Sequence, residues 1–234
     1  MKKIAISQSN YIPWKGYFDL INIVDEFVIY DDAQYTKNDW RNRNKVQTQN
    51  GPTWLTIPVD TKGKLNQSIS QAQVLNQLWR AKHWKTIAQS YAKSPYFTEY
   101  KDRFEKLYLA DSYLISEINL SFIELVCEIL GITTKLRSSS EFDFGGNKTE
   151  SLLDICDQCS AEQYFSGPSA KTYFDMDLAK KAGVKVEWIS YDNYPEYHRT
   201  HATVKFKHRV SVIDLLFNEG PNATKHMLTF NDSI

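Results

Sequence analysis

A chain of 234 residues with 28 Lys and Arg against 28 Asp and Glu has no net charge at pH 7, so any anion site must be local and nucleic acid is not an expected partner. Its 42% hydrophobic and 24% charged content is that of a globular protein with a proper core, not of a disordered chain. No apolar run reaches the roughly 18 residues of a membrane-spanning helix, so membrane insertion is not expected.

Residues 2–10, "KKIAISQSN", read as a first strand; the apolar run is too short and too broken by polar groups for an export signal. Three cysteines, Cys127, Cys156 and Cys159, then suit a reducing cytoplasm. Tyr17, Phe18, Leu20, Ile21 and Val24 at helical spacing predict a helix over 15–24, and "EFVIYDD", 26–32, a second strand. Strand, helix and strand with short links predict two parallel neighbours. "KVQTQ" and "TWLTIPV" predict a hairpin turning at "NGP", residues 50–52. Helices follow over 77–94, 97–110 and 113–131, the last ended by Gly131. "TTKLRSSSEF", 133–142, returns to a strand that leaves through serines. A helix over 148–161 takes Thr149 as its N-cap. A strand at 162–166 opens into a Gly-Pro-Ser turn, a helix over 176–183 stops at Gly183, and a strand spans 184–192. A last helix ends at Gly220 and Pro221.

The predicted fold class is α/β: a mostly parallel Rossmann-like sheet with a β-hairpin and an inserted helical block. Residues 1–75 and 132–234 form the sheet domain with the ligand site, and 76–131 the helical block packed on it. Such sheets bind ligands at the carboxyl ends of their strands. Four polar loops follow predicted strands: "SQSNYIPW", "DDAQYTKNDWRNRN", "SSS" and "SGPSAK".

Gln8, Asn10 and Tyr11 lie in the first loop, before the free N–H groups of a helix start. They line a ligand or phosphate site, or the loop merely starts the helix through Pro13, Trp14 and Gly16. Lys37, Arg41 and Arg43 are phosphate-binding candidates, with Trp40 or Tyr35 to stack on a base or sugar. The alternative is a solvated basic hairpin face. Asp31 and Asp32 are adjacent at a strand end and suit Mg²⁺ or acid–base work, but adjacent strand residues point to opposite faces, so no metal is assigned to them, and Asp32 equally caps the turn. Ser166, Gly167 and Ser169 in a turn, with Lys171 beyond, suit an anion or a plain helix start. His83 on a helix reads as structural from spacing alone, although a neutral imidazole is a suitable base for an ammonium proton. Cys156 and Cys159 have zinc half-site spacing with no second half and read as ordinary thiols. His198, His201 and His208 cluster with Arg199, Lys205, Lys207 and Arg209. That segment reads as an edge-strand face, a carrier-protein docking face or a metal loop, and the role of its histidines stays open. Asp214, among core residues, reads as a structural hydrogen-bond acceptor.

"QSNYIPWKGYFDLI", "IYDDAQYTKNDWRNRNKV", "WLTIPV", "KHWKTI", "YFSGPSAKTYFD" and "SVIDLLFNEGP" together resemble the WbqC-like family of bacterial proteins over nearly the whole chain. The segment 194–211 departs from the resemblance in being more basic and richer in His. The resemblance implies a role in O-antigen or other surface-glycan biosynthesis. The implied reaction is a transferase step: an amide (glycyl, aminoacyl or acyl) formed on the amino group of a nucleotide-linked amino sugar. His83 would then be the base, and Asn10 or nearby N–H groups would meet the oxyanion. Lys37, Arg41 and Arg43 would hold the diphosphate, and Ser166, Gly167, Ser169 and Lys171 the acyl donor or a second phosphate. No cofactor is assigned; the donor would be a carrier-protein phosphopantetheine thioester, or an adenylate made with ATP and Mg²⁺. The alternatives are an ATP-dependent nucleotidylyltransferase or ligase-like enzyme that activates a small acid, and a non-catalytic nucleotide-sugar binding module.

Overall fold

Alternation along two adjacent strands divides the core. The computed structural model describes residues 1–201, 206 and 208–230. In β1 (Lys3–Ser7), Ile4 and Ile6 pack on one face and Ala5 on the other. The chain crosses through α1 (Lys15–Asn22) and returns as β2 (Glu26–Ile29), parallel to β1 with Ile4 opposite Glu26 and Ser7 opposite Ile29. Phe27 and Ile29 share the Ala5 face, and Val28 the Ile4 face.

An antiparallel hairpin of β3 (Arg43–Thr48) and β4 (Gly51–Thr56) follows, separate from the main sheet. Its turn is displaced from the predicted "NGP". Thr48 pairs with Gly51, so Gln49 and Asn50 turn the chain, while Gly51 (φ +104°) and Pro52 already belong to the second strand. Next come α2 (Leu78–Tyr91), α3 (Phe97–Leu109) and α4 (Ile115–Leu130), the last closed by left-handed Gly131. β5 (Lys135–Ser138), α5 (Lys148–Gln158), β6 (Gln163–Ser166), α6 (Met176–Lys181), β7 (Lys185–Trp188) and α7 (Ile213–Glu219) complete the elements. The cap of α5 is Asn147, not Thr149. Asn147 accepts from the N–H of Thr149 and Glu150, and Glu150 reaches back to the Asn147 N–H in a capping box. Thr149 instead accepts the Asp175 N–H at 3.1 Å.

The five-stranded sheet runs β5-β2-β1-β6-β7, every pair parallel. Strand order reverses between β1 and β6, the point at which open α/β sheets hold their ligands. On one face lies a core of α5 and α6 residues with Ile4, Ile6 and Val28. On the other, one continuous core joins α1, the hairpin, α2 to α4 and α7 to Ala5 and Phe27, so the helical segment and the sheet share it.

Polar groups in this core are tied together. Lys15, Asp19 and Asn22 form a buried or half-buried stripe on α1 that meets the C-terminal segment. Lys15 Nζ donates to the His226 carbonyl at 2.8 Å, and burial lowers its pKa to about 8. Asp19 accepts the Leu228 and Thr229 N–H groups at 3.0 and 2.9 Å, and Asn22 donates to the Thr229 carbonyl at 3.0 Å. Asp214, fully buried as expected of a structural acceptor, takes Tyr91 Oη at 3.0 Å and Arg199 Nε at 2.6 Å, with Tyr197 Oη on the same oxygen as the arginine. Removing the carboxylate strips a buried guanidinium and two phenols of their acceptor. Asp214→Ala is therefore expected to lower unfolding free energy by about 3–5 kcal/mol in urea titrations; a loss under 1 kcal/mol would mean the network is not a structural clasp.

Candidate functional site

The loops after β1 and β2 are locked to each other on the β2 side of the switch point. By the alternation that buries Phe27 and Ile29, Asp31 turns to the helical face. Its Oδ1 accepts the Ser9 N–H at 2.8 Å. Asp32 turns the other way and accepts Ser139 Oγ, so the two carboxylates do not share a site. From α4, Asn119 Nδ2 donates to Ser9 Oγ at 3.0 Å and to the Arg41 carbonyl at 2.9 Å. Tyr17 Oη donates to the Gln8 carbonyl at 3.0 Å, and the Tyr11 N–H to the Trp40 carbonyl at 2.9 Å. From β3, Asn44 Nδ2 donates to the carbonyls of Ile12 and Tyr11 at 2.8 and 3.2 Å. These bonds hold Ile12 at φ +37°, a conformation that β-branched residues rarely adopt and that collects at functional sites.

Tyr11 and His83 meet, but inside the core. Tyr11 Oη lies 3.0 Å from His83 Nδ1 and 2.7 Å from Tyr108 Oη, and all three side chains are buried. Burial lowers the His83 pKa to about 4, a bond to the Thr56 backbone opposing it. Burial, with the Tyr108 hydroxyl, holds Tyr11 protonated far above its usual range. In this setting the imidazole is neutral and ties the first loop to α2.

The cationic arm carries a tilted tryptophan pair. Trp40 and Trp54 are both 41% exposed, with ring centroids 5.6 Å apart. The Arg43 guanidinium sits 4.3 Å over the Trp54 ring, and Lys45 Nζ 4.6 Å from it. Arg41 pairs with Asp39 at 3.1 Å. Lys37 is exposed, and Tyr35 is buried with its hydroxyl pushed up to about pKa 12 by desolvation. Around this arm and the first loop, Asn10 Oδ1, Asp31 Oδ2, Arg41 Nε, Arg43 Nε, Asn119 Oδ1 and Tyr35 Oη are buried and meet no hydrogen-bond partner. Buried polar atoms are normally paired, by protein, ordered water or a ligand, so these atoms are open to such a partner.

The turn after β6 approaches the first loop through Tyr191. This ring lies 5.0 Å from Trp14, and its hydroxyl would be 3.6 Å from a Cβ added at Gly167. Ser166 is buried and accepts from Tyr164 Oη at 3.2 Å. Ser169 and Lys171 sit in a 3₁₀ turn, Pro168–Thr172, on the exposed side, with Lys171 Nζ 5.8 Å from the Trp188 ring centroid. Contacts thus link Gln8, Tyr11, Trp40, Arg41, Arg43 and His83 into one constellation, which Asn10 joins by its place in the chain between Ser9 and Tyr11. Gly167 borders it, while Lys37, Tyr35, Ser166, Ser169 and Lys171 make no direct contact with its members. Ser9, Asn44, Trp54, Tyr108 and Asn119 belong to it without having been singled out from the sequence, and Asp31, weighed there as a metal or acid–base group, joins them.

Cys156 and Cys159 are buried free thiols, and burial raises both. His201 Nε2 lies 2.7 Å from the Ser90 carbonyl, and His198 is exposed. Lys205 and Lys207 of the docking-face reading lie outside the described residues. Among the described residues no three of His, Cys, Asp or Glu gather as metal ligands, and no helix is long and apolar enough to cross a membrane.

A sequence model described as the WbqC-like protein family matches residues 8–226, and the chain belongs to that family. It is also similar to the uncharacterized protein Rv1507c of Mycobacterium tuberculosis, 42% identical over 228 residues, which cover 97% of this chain and 98% of that protein. No solved structure matches at a significant level.

The His83 environment makes a pH prediction. Its folded pKa of about 4 lies below the ordinary 6.5, so between these values the unfolded chain binds the extra proton. Its contribution is complete above about pH 6.5 and is lost as pH falls toward 4, reaching roughly 2 kcal/mol at pH 5. Urea titrations at pH 7.5 and 5 are expected to show this loss in the native protein and a shallower one in His83→Gln. Equal slopes would place the histidine in water.

Proposed function

We propose that this member of the WbqC-like family forms an amide on the amino group of a nucleotide-linked amino sugar, in the synthesis of O-antigen or another surface polysaccharide. The observation that carries the reading is the sorting of the unpartnered atoms. Asn10 Oδ1, Asp31 Oδ2 and Asn119 Oδ1 only accept, which suits hydroxyls and an amine; Arg41 Nε and Arg43 Nε only donate, which suits a diphosphate. Beside the arginines, the exposed Trp40 and Trp54 offer faces to a base or sugar ring. One end of the site is therefore matched to a polyol amine and the other to a charged, planar nucleotide.

In the reaction the sugar ammonium gives up a proton, and the free amine attacks the acyl carbonyl. The C–N bond forms as the bond to the leaving group, a thiolate or a nucleotide phosphate, breaks. Backbone N–H groups of the first loop and of the Gly167 turn are the nearest candidates for the oxyanion. His83 acts in this scheme through Tyr11, by holding the loop.

The test is incubation with nucleotide-linked amino sugars and either a glycyl thioester or glycine with ATP and Mg²⁺, followed by mass spectrometry of the sugar. Amide formation from the thioester supports transfer. Strict need for ATP with pyrophosphate release would instead favour a ligase, and tight binding without product a binding module. In titration calorimetry, Arg43→Ala is expected to weaken nucleotide-sugar binding by about 1.5–3 kcal/mol, and Arg43→Lys to restore part of it, since the ammonium keeps charge but not the forked geometry. Unchanged affinity in Arg43→Ala would remove the arginine from the nucleotide end.

A further inference from the structure

We infer that Asp31 Oδ2 is the anchor for a protonated primary amine, the group that receives the sugar ammonium and takes its proton. This rests on the reading above for the identity of the ligand, but the argument for a cation is independent of it. Asp31 is 5% exposed. Its Oδ1 is fixed by the Ser9 N–H, the Ser9 hydroxyl also favours the charged carboxylate, and Oδ2 itself meets no hydrogen-bond partner. Arg41 lends Asp31 favourable charge at a distance but no hydrogen bond to Oδ2, and Asp32 nearby opposes it.

The neighbours repeat the pattern. Asn119 is oriented unambiguously: its Nδ2 faces the Arg41 carbonyl and Ser9 Oγ, which leaves Oδ1 as an acceptor. Asn10 follows Ser9 directly and also turns an unpartnered Oδ1 inward. Three buried oxygens without partners, one of them a carboxylate's, are complementary to a group with several N–H bonds and a positive charge. A neutral hydroxyl would satisfy only some of them. The Asp31 charge itself disfavours a phosphate at these oxygens.

The chemistry follows from the same setting. Desolvation raises the carboxyl pKa above the ordinary aspartate range, which makes the group a better proton acceptor than a solvated aspartate. The proton moves from the ammonium nitrogen to Oδ2, and the lone pair it leaves is the one that forms the amide bond.

The isosteric Asp31→Asn substitution discriminates. The amide it introduces can still accept the Ser9 N–H and places a donor where Oδ2 stood. If Asp31 exists for a ligand, the variant melts at or above the native temperature at pH 7.5. If Asp31 is a structural clasp that needs its charge, the variant melts lower, and the inference fails. Ligand-observed NMR titration of the full chain with D-glucosamine and D-glucose is the second arm. The native protein is expected to prefer the amine at least tenfold, and the variant to lose that preference. Equal binding of the two sugars, or no detectable binding of glucosamine, overturns the proposal. A crystal soaked in glucosamine is expected to place the ammonium within hydrogen-bond distance of Asp31 Oδ2; ordered water alone on that oxygen overturns it. The two readings fail separately. Amine binding at Asp31 without acyl transfer leaves this inference and ends the transferase reading. Transfer at an undiminished rate in Asp31→Asn does the reverse.

Discussion

A single buried hydrogen bond, from the Ser9 N–H to the Asp31 carboxylate, sets the geometry on which the rest depends. It joins the first residues beyond β1 to the first residues beyond β2, two strands that the sheet already holds parallel and adjacent. Once that bond exists, the first loop cannot lie over the open edge of the sheet. Tyr11 is directed into the core, Asn10 beside it buries its Oδ1, and Asp31 spends one oxygen on the Ser9 N–H while the other meets no partner. A charge-assisted bond shielded from water is stronger than a neutral one, and here it spans two elements that a helix separates in sequence.

The helical segment between hairpin and β5 completes this arrangement from the other side. Asn119 on α4 reaches two loops at once, while His83 on α2 and Tyr108 on α3 receive the Tyr11 hydroxyl. Each helix of the insertion thus contributes one polar side chain to the same loop. The insertion is not a separate lid on a finished sheet: its apolar faces belong to the same core, and its polar groups hold the loop in a backbone conformation that Ile12 would not adopt alone.

Periodicity made the sheet legible. The alternation of Ile4, Ala5 and Ile6, and of Phe27, Val28 and Ile29, is the alternation of the two cores, and it also separates Asp31 from Asp32. The hairpin turn was displaced because "NG" favours a turn locally, whereas the register is set by Asn44 and Val46 packing inward. Thr149 lost the capping role because Asn147 three residues before Glu150 forms the reciprocal box. The harder failures concern polar groups buried at long range. Asn119 looks like an ordinary helical residue, and only its place among Ile115, Ile118, Phe122 and Ile123, on the buried side of α4, hints that it faces the core. His83 is similar: spacing shows a helical histidine, but burial against Tyr11 and Tyr108 comes from segments 72 residues before and 25 after it. Such partners are set by topology, which no local pattern encodes.

The stripe on α1 bears on how the protein is made. Asp19 has no exposed surface, and two of its donors are the backbone N–H groups of residues 228 and 229. A ribosome adding 5–20 residues per second takes on the order of ten to forty seconds to pass from one to the other. During that interval the first helix carries a carboxylate that cannot be buried without its partners, so α1 cannot seat fully on the sheet. Full burial of a charged Asp19 therefore waits for the C-terminal segment, and the seating of α1 is coupled to the last part of the chain to be made.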